Sequence, residues 1–146
     1  MKIKKSIDIL AGAETIWPLI AEPLNIIKWC STVKIIFQTG DKSEGFGAAF
    51  YIEEIAAGTL MKLHFVVTEW NYSRTVAFKM TSGNLVKGYE QKYTLHPTEN
   101  GIKVTCFENV TLPFGILGKL AEILRRPVSE AHIEKMLFAL KSLGEA

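Results

Sequence analysis

Apolar positions along this chain recur with two periods, and the period changes three times. Near the start, Ile3, Ile7 and Ile9 alternate with Lys2, Lys4, Ser6 and Asp8, the period-two signature of a half-buried strand. From Ala13 to Ala21 the spacing becomes helical, carried by Ile16, Trp17, Leu19 and Ile20, with Pro18 tolerated in the first turns. Pro23 ends that helix, and Leu24, Ile27 and Trp29 predict a second short one. Strands and turns then take over. Strands are predicted over 32–39, 45–55, 60–70, 75–81, 85–95 and 102–112, with turns at Gly40-Asp41, Gly58, Asn71-Tyr72-Ser73, Ser82-Gly83-Asn84 and Glu99-Asn100-Gly101. Successive strands joined by short turns form an antiparallel meander.

The last change of period starts at Pro113. Leu117, Leu120, Leu124, Val128, Ile133, Met136, Leu137, Leu140 and Leu143 fall at spacings of three and four, and Gly144 supplies a stop. At 1.5 Å per residue that helix is about 45 Å long. Pro127 is expected to kink it after Arg126. One strand, two short helices, six strands and one long helix make an α+β fold. Its economical packing is a seven-stranded, curved antiparallel sheet gripping the terminal helix, since either surface alone stays exposed. The length of 146 residues fits a single domain spanning 1–146.

Composition narrows the function. Seventeen basic residues against fifteen acidic leave a net charge of +2, spread along the chain, so nucleic acid is not an expected partner. No apolar run is long enough to span a membrane. Lys2, Lys4 and Lys5 ahead of Ala11-Gly12-Ala13 mimic a signal peptide, but Asp8 interrupts a short apolar run, and a cytoplasmic protein is expected. Cys30 and Cys106 read as buried free thiols. His64, His96 and His132 lack ligand spacing with each other or with a cysteine, so no metal and no cofactor are expected.

Several local motifs, taken in order, resemble the START/Bet v 1-like (SRPBCC) superfamily and, within it, the polyketide cyclase/dehydrase and lipid-transport group. The opening Ala11-Gly12-Ala13-Glu14-Thr15-Ile16-Trp17 is similar to that group's small-residue turn followed by Val/Ile-Trp. A short helix ending at Trp29, Gly45-Phe46-Gly47, Val67-Thr68-Glu69-Trp70-Asn71 with Arg74, and the ending Leu137 to Glu145 continue the likeness. The resemblance implies the helix-grip fold and an enclosed pocket. It leaves the job open, because that fold serves carriers, aromatase/cyclases, receptors and chaperone activators.

Strand parity supplies the candidate lining. Phe50 and Ile52, then Met61, Leu63, Phe65 and Val67, then Val76, Phe78 and Met80 share the inward face. Tyr89, Gln91, Tyr93 and Leu95 follow, then Ile102, Val104, Cys106, Glu108 and Val110, with Leu117, Leu120, Leu124, Val128 and His132 from the helix. Such a list describes either a packed core or an apolar hollow with Tyr89, Gln91 and Glu108 as polar anchors. An inward Glu108 has its pKa raised by desolvation; a bulged strand instead leaves it in water. His132 is expected to be partly buried and satisfied by a neighbour. Lys119, Arg125 and Arg126 either flank the mouth or form a solvated face.

Three functions fit. The first is binding or transport of a small hydrophobic ligand such as a lipid, fatty acid or polycyclic aromatic. The candidate contacts are Phe50, Leu63, Phe65, Phe78, Tyr89, Gln91, Glu108, Leu120, Leu124 and His132. The second is a cyclase/dehydratase-type enzyme in the same cavity, for which the inward list offers one carboxylate and no cationic partner. The third is a protein-interaction module of the chaperone-activator type, marked by an exposed apolar patch.

Overall fold

The computed structural model describes residues 1–56 and 58–146. The elements run β1 (Lys2–Ile9), α1 (Ala13–Ala21), a 3-10 helix (Pro23–Lys28), β2 (Val33–Gln38), β3 (Ala49–Ala56) and β4 (Thr59–Asn71). They continue with β5 (Thr75–Gly83), β6 (Gly88–Pro97), β7 (Ile102–Thr111) and α2 (Gly115–Gly144). All seven strands form one antiparallel sheet in the order β1-β7-β6-β5-β4-β3-β2. The two strands adjacent in sequence, β1 and β2, therefore occupy opposite edges. The α1 corner carries the chain from one edge to the other, and the Trp29 indole fastens it by donating to the Leu19 carbonyl at 2.7 Å. This is the sheet-and-helix grip that the order of elements predicted.

Strand parity holds throughout. Phe50, Ile52, Met61, Leu63, Phe65, Val67, Val76 and Phe78 are buried on one face, as are Tyr89, Tyr93, Leu95, Ile102, Val104, Cys106, Glu108 and Val110. Register then places residues across from one another. Gln91 opposes Glu108 in the β6–β7 ladder, and Tyr93 opposes Cys106. Bulges in the β4–β5 ladder, between His64 and Phe65 and between Val67 and Glu69, add twist and bend the sheet.

The boundaries depart from the sequence reading where local stereochemistry decides. Gly45 and Gly47 both have φ of +85°, outside extended geometry, so β3 begins at Ala49 rather than Gly45. Gly83 belongs to β5 rather than to a tight turn, because the Leu63 side chain lies where a Cβ at Gly83 would sit. The reversal falls later, with Leu85 at φ 67°, and β6 starts at Gly88. His96 and Pro97 continue β6 opposite Lys103 and Ile102 instead of forming a turn. Helix α2 starts two residues after Pro113, behind Phe114 at φ 78°. It runs continuously through Pro127, where the proline's missing donor concerns a solvent-facing stretch around the exposed Ile123.

Helix α2 docks by only half its length. Ile133, Met136, Leu137 and Leu140 are buried against the sheet and α1, whereas Ile116, Leu117, Leu120, Ile123, Leu124 and Val128 are exposed. Polar ties hold the whole helix alongside β1. Arg126 donates to the Lys2 carbonyl at 2.9 Å, Lys5 pairs with Glu134 at 2.9 Å, and Lys141 donates to the Asp8 carbonyl at 2.9 Å. The Leu10 amide donates to Glu145 at 2.9 Å, and the terminal ammonium pairs with Glu122 at 3.1 Å. The helix is thus pinned to one edge of the sheet, and its first half bridges open space towards the other.

Leu140→Ala is expected to cost about 2–5 kcal/mol in urea denaturation, while Ile123→Ala stays within about 0.5 kcal/mol. Comparable losses at the two positions would mean that the first half of α2 is docked after all.

Candidate functional site

The space under the first half of α2 is a hollow of about 320 Å³. Its apolar wall includes Met61, Val86, Val110, Leu124 and Val128, and its polar groups are Thr32, Glu54, Tyr89, Glu108, Arg125, Ser129 and His132. A second depression of about 310 Å³, lined by Leu85, Phe114, Leu117 and Ala121, shares Met61, Val86, Leu112 and Arg125 with the first and forms its outer mouth. Inward, a void of about 30 Å³ continues past Glu54 and Tyr89 towards Phe50, Phe65, Phe78 and Gln91. A larger depression of about 800 Å³ lies on the sheet's other face among Lys4, Lys79, Lys92 and Phe107. It is an open groove whose lining also includes Glu90, Gln91 and Glu108.

Glu108 projects into the hollow because β7 alternates without a bulge across Cys106, Glu108 and Val110. It is only 8% exposed. Tyr89 Oη donates to Glu108 Oε2 at 3.0 Å, and Gln91 Nε2 donates to the same oxygen at 2.8 Å. Both donors converge on Oε2, so among the described residues Oε1 has no hydrogen-bond partner and is the oxygen a guest would meet. Burial raises the Glu108 pKa, and the Gln91 and Tyr89 hydrogen bonds oppose that shift. The Tyr89 hydroxyl is pushed well up, first by burial and then by the Glu108 charge, so it remains a donor. Edge-to-face contact of Tyr89 with Phe65 at 5.4 Å, and stacking of Phe65 on Phe50 at 5.5 Å, fix the ring that carries this hydroxyl.

A second buried carboxylate faces the same hollow. Glu54 is 7% exposed and continues the inward series Phe50, Ile52 on β3. Its Oε2 accepts from Thr32 Oγ1 at 2.5 Å, lies 3.9 Å from Cys30 Sγ and 4.0 Å from His132 Nε2. Burial, and next the Glu54 charge, push the Cys30 thiol up to about 12. Cys30, Glu54 and His132 are also the described residues whose donor atoms come close enough to hold a metal ion, all within 4.8 Å of one another.

The sequence-derived candidates separate into groups. Tyr89, Glu108, Leu124 and His132 surround the main hollow, while Phe50, Phe65, Phe78 and Gln91 surround the inner void with Tyr89. Leu63 is brought to neither; it fills the core over Gly83. Leu120 lines neither; the helix residues that do line the hollow and its neighbouring depression include Leu117, Ala121, Leu124 and Val128. Arg125 lines the hollow rather than forming part of a solvated face alone. Glu54 and Thr32 escaped the sequence reading. Parity at positions i, i+2 and i+4 would have found Glu54, whereas nothing local to Thr32 or Cys30 signals their convergence with His132. The absence of ligand spacing along the chain missed a cluster that three separate elements build.

Comparison with known proteins gives the arrangement its context. Residues 1–145 match the family described as polyketide cyclase / dehydrase and lipid transport. The chain belongs to this family. No curated protein sequence matches it. Among solved structures, the family fold recurs in TTHA0849 from Thermus thermophilus, at 18% identity and a TM-score of 0.83, covering 99% of this chain and 97% of that one. A START superfamily protein from Mycobacterium smegmatis superposes with a TM-score of 0.80 at 13% identity, over 97% and 94% of the two chains. The Zhui aromatase/cyclase of a Streptomyces species gives 0.84 at 10% identity, over 99% and 93%. At these identities the likeness establishes the fold of this cyclase and lipid-transport family member. In this structure no helix among the described residues is long and apolar enough to cross a membrane.

The raised Glu108 pKa has a definite sign in stability. Between the ordinary carboxyl pKa of 4.5 and the higher value in the fold, the native state binds more protons than the unfolded chain. Wild-type stability relative to Glu108→Gln is therefore expected to fall as pH rises above about 4.5, and to level off once Glu108 is ionised. Paired urea titrations across pH measure this; a flat difference would show that the carboxyl is not penalised by burial.

Proposed function

We propose that this protein binds a small, mostly apolar molecule in the hollow between its sheet and α2, holding one polar end against Glu108 and Tyr89. The observation that carries this reading is the hollow itself. A helix lifted off an apolar sheet leaves about 320 Å³, within the range of small-molecule pockets. At about 30 Å³ per water-sized group it has room for on the order of ten such groups, and the adjoining mouth accommodates a longer tail. Apolar walls supply affinity without direction, while the free oxygen of Glu108 and the Arg125 side chain at the rim supply orientation. A fatty acid, an isoprenoid or a fused-ring aromatic has the required shape. The exposed apolar side chains of α2 form the lip through which such a guest enters, which accounts for them without a protein partner. Two unpaired thiols, Cys30 and Cys106, suit a reducing compartment such as the cytoplasm.

A second reading, a cyclase- or dehydratase-type reaction, is favoured by one specific observation. Two carboxylates, Glu54 and Glu108, and two cationic or proton-carrying groups, Arg125 and His132, line the same hollow. That is the acid–base apparatus the sequence list lacked. Burial raises the Glu108 pKa, which brings that carboxyl closer to the range in which it can exchange a proton with a carbonyl or hydroxyl oxygen beside the Tyr89 hydroxyl.

A thermal-shift panel of fatty acids, quinones and polycyclic aromatics is expected to contain compounds that raise the melting temperature, since binding only the native state stabilises it by mass action. Glu108→Gln is expected to weaken the best binder roughly 10- to 100-fold while sparing stability at neutral pH. Ser129→Phe, placing a ring in the hollow, is expected to abolish the shift. Unchanged affinity in both variants would remove the hollow from the binding site. Turnover of a bound polyketone, followed by mass spectrometry, separates the enzyme from the carrier.

A further inference from the structure

The other polar end of the hollow is built differently from the Glu108 end. Glu54 is a buried carboxylate, and among the described residues no lysine or arginine pairs with it. A buried carboxylate without a cationic partner is costly. What surrounds it is a thiol, a hydroxyl and an imidazole: Cys30 Sγ at 3.9 Å, Thr32 Oγ1 at 2.5 Å and His132 Nε2 at 4.0 Å. The cluster draws on three parts of the fold. Cys30 and Thr32 follow the 3-10 helix, Glu54 stands on β3, and His132 reaches down from α2.

We propose that Cys30, Glu54 and His132 bind a divalent transition-metal ion of the zinc class, with an open coordination position towards the hollow. The donor types are the ones Zn²⁺ takes: thiolate, carboxylate oxygen and imidazole nitrogen. Hard ions such as Mg²⁺ and Ca²⁺ prefer all-oxygen sites, so a mixed sulfur, nitrogen and oxygen set selects against them. Geometry agrees. Metal–ligand bonds of about 2.0–2.3 Å in a tetrahedron put donor atoms roughly 3.4–3.8 Å apart. The donor atoms here already lie within 4.8 Å of one another, and side-chain rotations close the remaining distance.

Neighbouring groups fit the same role. The Thr32 hydroxyl donates to Glu54 Oε2 and lies 3.4 Å from Cys30 Sγ, the kind of contact that orients a ligating carboxylate. Three protein ligands leave a fourth position free, as in zinc sites that accept an exogenous group. Glu54 and His132 both line the hollow, so that position is available to an oxygen of a bound guest. Without metal the thiol keeps its proton. On binding, the S–H bond breaks, a sulfur–metal bond forms, and the proton leaves to solvent without any change of oxidation state.

Cobalt(II), whose spectrum reports its ligands, tests this on the full chain after chelator treatment. One equivalent is expected to produce a thiolate-to-cobalt charge-transfer band and the d–d bands of a tetrahedral ion. Zn²⁺ should displace it and excess Mg²⁺ should not. Cys30→Ser is expected to abolish the charge-transfer band, Cys106→Ser to leave it intact, and His132→Ala to weaken binding more than roughly tenfold. Zn²⁺ should also raise the melting temperature of the wild type and not of Glu54→Gln, with circular dichroism confirming that each variant is folded. A wild-type chain without the thiolate band would overturn the proposal, as would a band that survives Cys30→Ser or full affinity in His132→Ala. If Cys30→Ser does not fold, the His132→Ala affinity and the wild-type band decide alone. Because the probe is the metal by itself, failure here leaves the hydrophobic binding site untouched.

Discussion

The long helix cannot satisfy both edges of the sheet at once, and the molecule follows from how that conflict is resolved. Its second half buries Ile133, Met136, Leu137 and Leu140 against the sheet and α1, each worth about 1.5–3 kcal/mol of apolar burial. Its polar flank is tied to β1 from Arg126 to Glu145. Those contacts set the line of the helix, and its exposed first half is left over the hollow. Bulges in the β4–β5 ladder add local twist to the sheet. The hollow is thus a consequence of rigid elements with fixed lengths, since a long helix over a twisted sheet touches it along only part of its course.

That gap changes the meaning of the polar residues around it. In a packed core, Glu54 and Glu108 would be two uncompensated charges, each a serious liability. Beside a hollow they are groups whose unmet valence a guest, water or ion can satisfy. The two ends solve the problem in different ways. Glu108 has its pKa raised by burial and accepts hydrogen bonds from Tyr89 and Gln91. Glu54 has one hydroxyl donor and two potential metal ligands beside it. Phe50, Phe65 and Tyr89 pack ring against ring beside them.

Legibility followed the range of the interaction. Strand parity is local, so Phe50, Phe65, Phe78, Tyr89 and Glu108 were assigned to the correct face from alternation alone. Glu54 obeys the same rule, buried two positions beyond Ile52 on β3. Turn positions were weaker. Gly83 looks like a turn residue, yet it serves the strand because Leu63 occupies the space above it. Helix periodicity marks which residues are apolar without saying which of them are covered. Leu120 and Leu140 look alike in the pattern, and one is in solvent while the other is fully buried.

What the amino-acid order determined by itself is the inventory and succession of elements, the inward face of each strand and hence the sheet-and-helix grip. These rest on contacts between residues a few positions apart. Only the folded chain decided that the helix docks by half, that Arg125 faces the hollow, and that Cys30, Glu54 and His132 meet. Those outcomes depend on the angle and offset between α2 and the sheet, which many distant contacts set together. No short stretch of sequence encodes an angle of that kind.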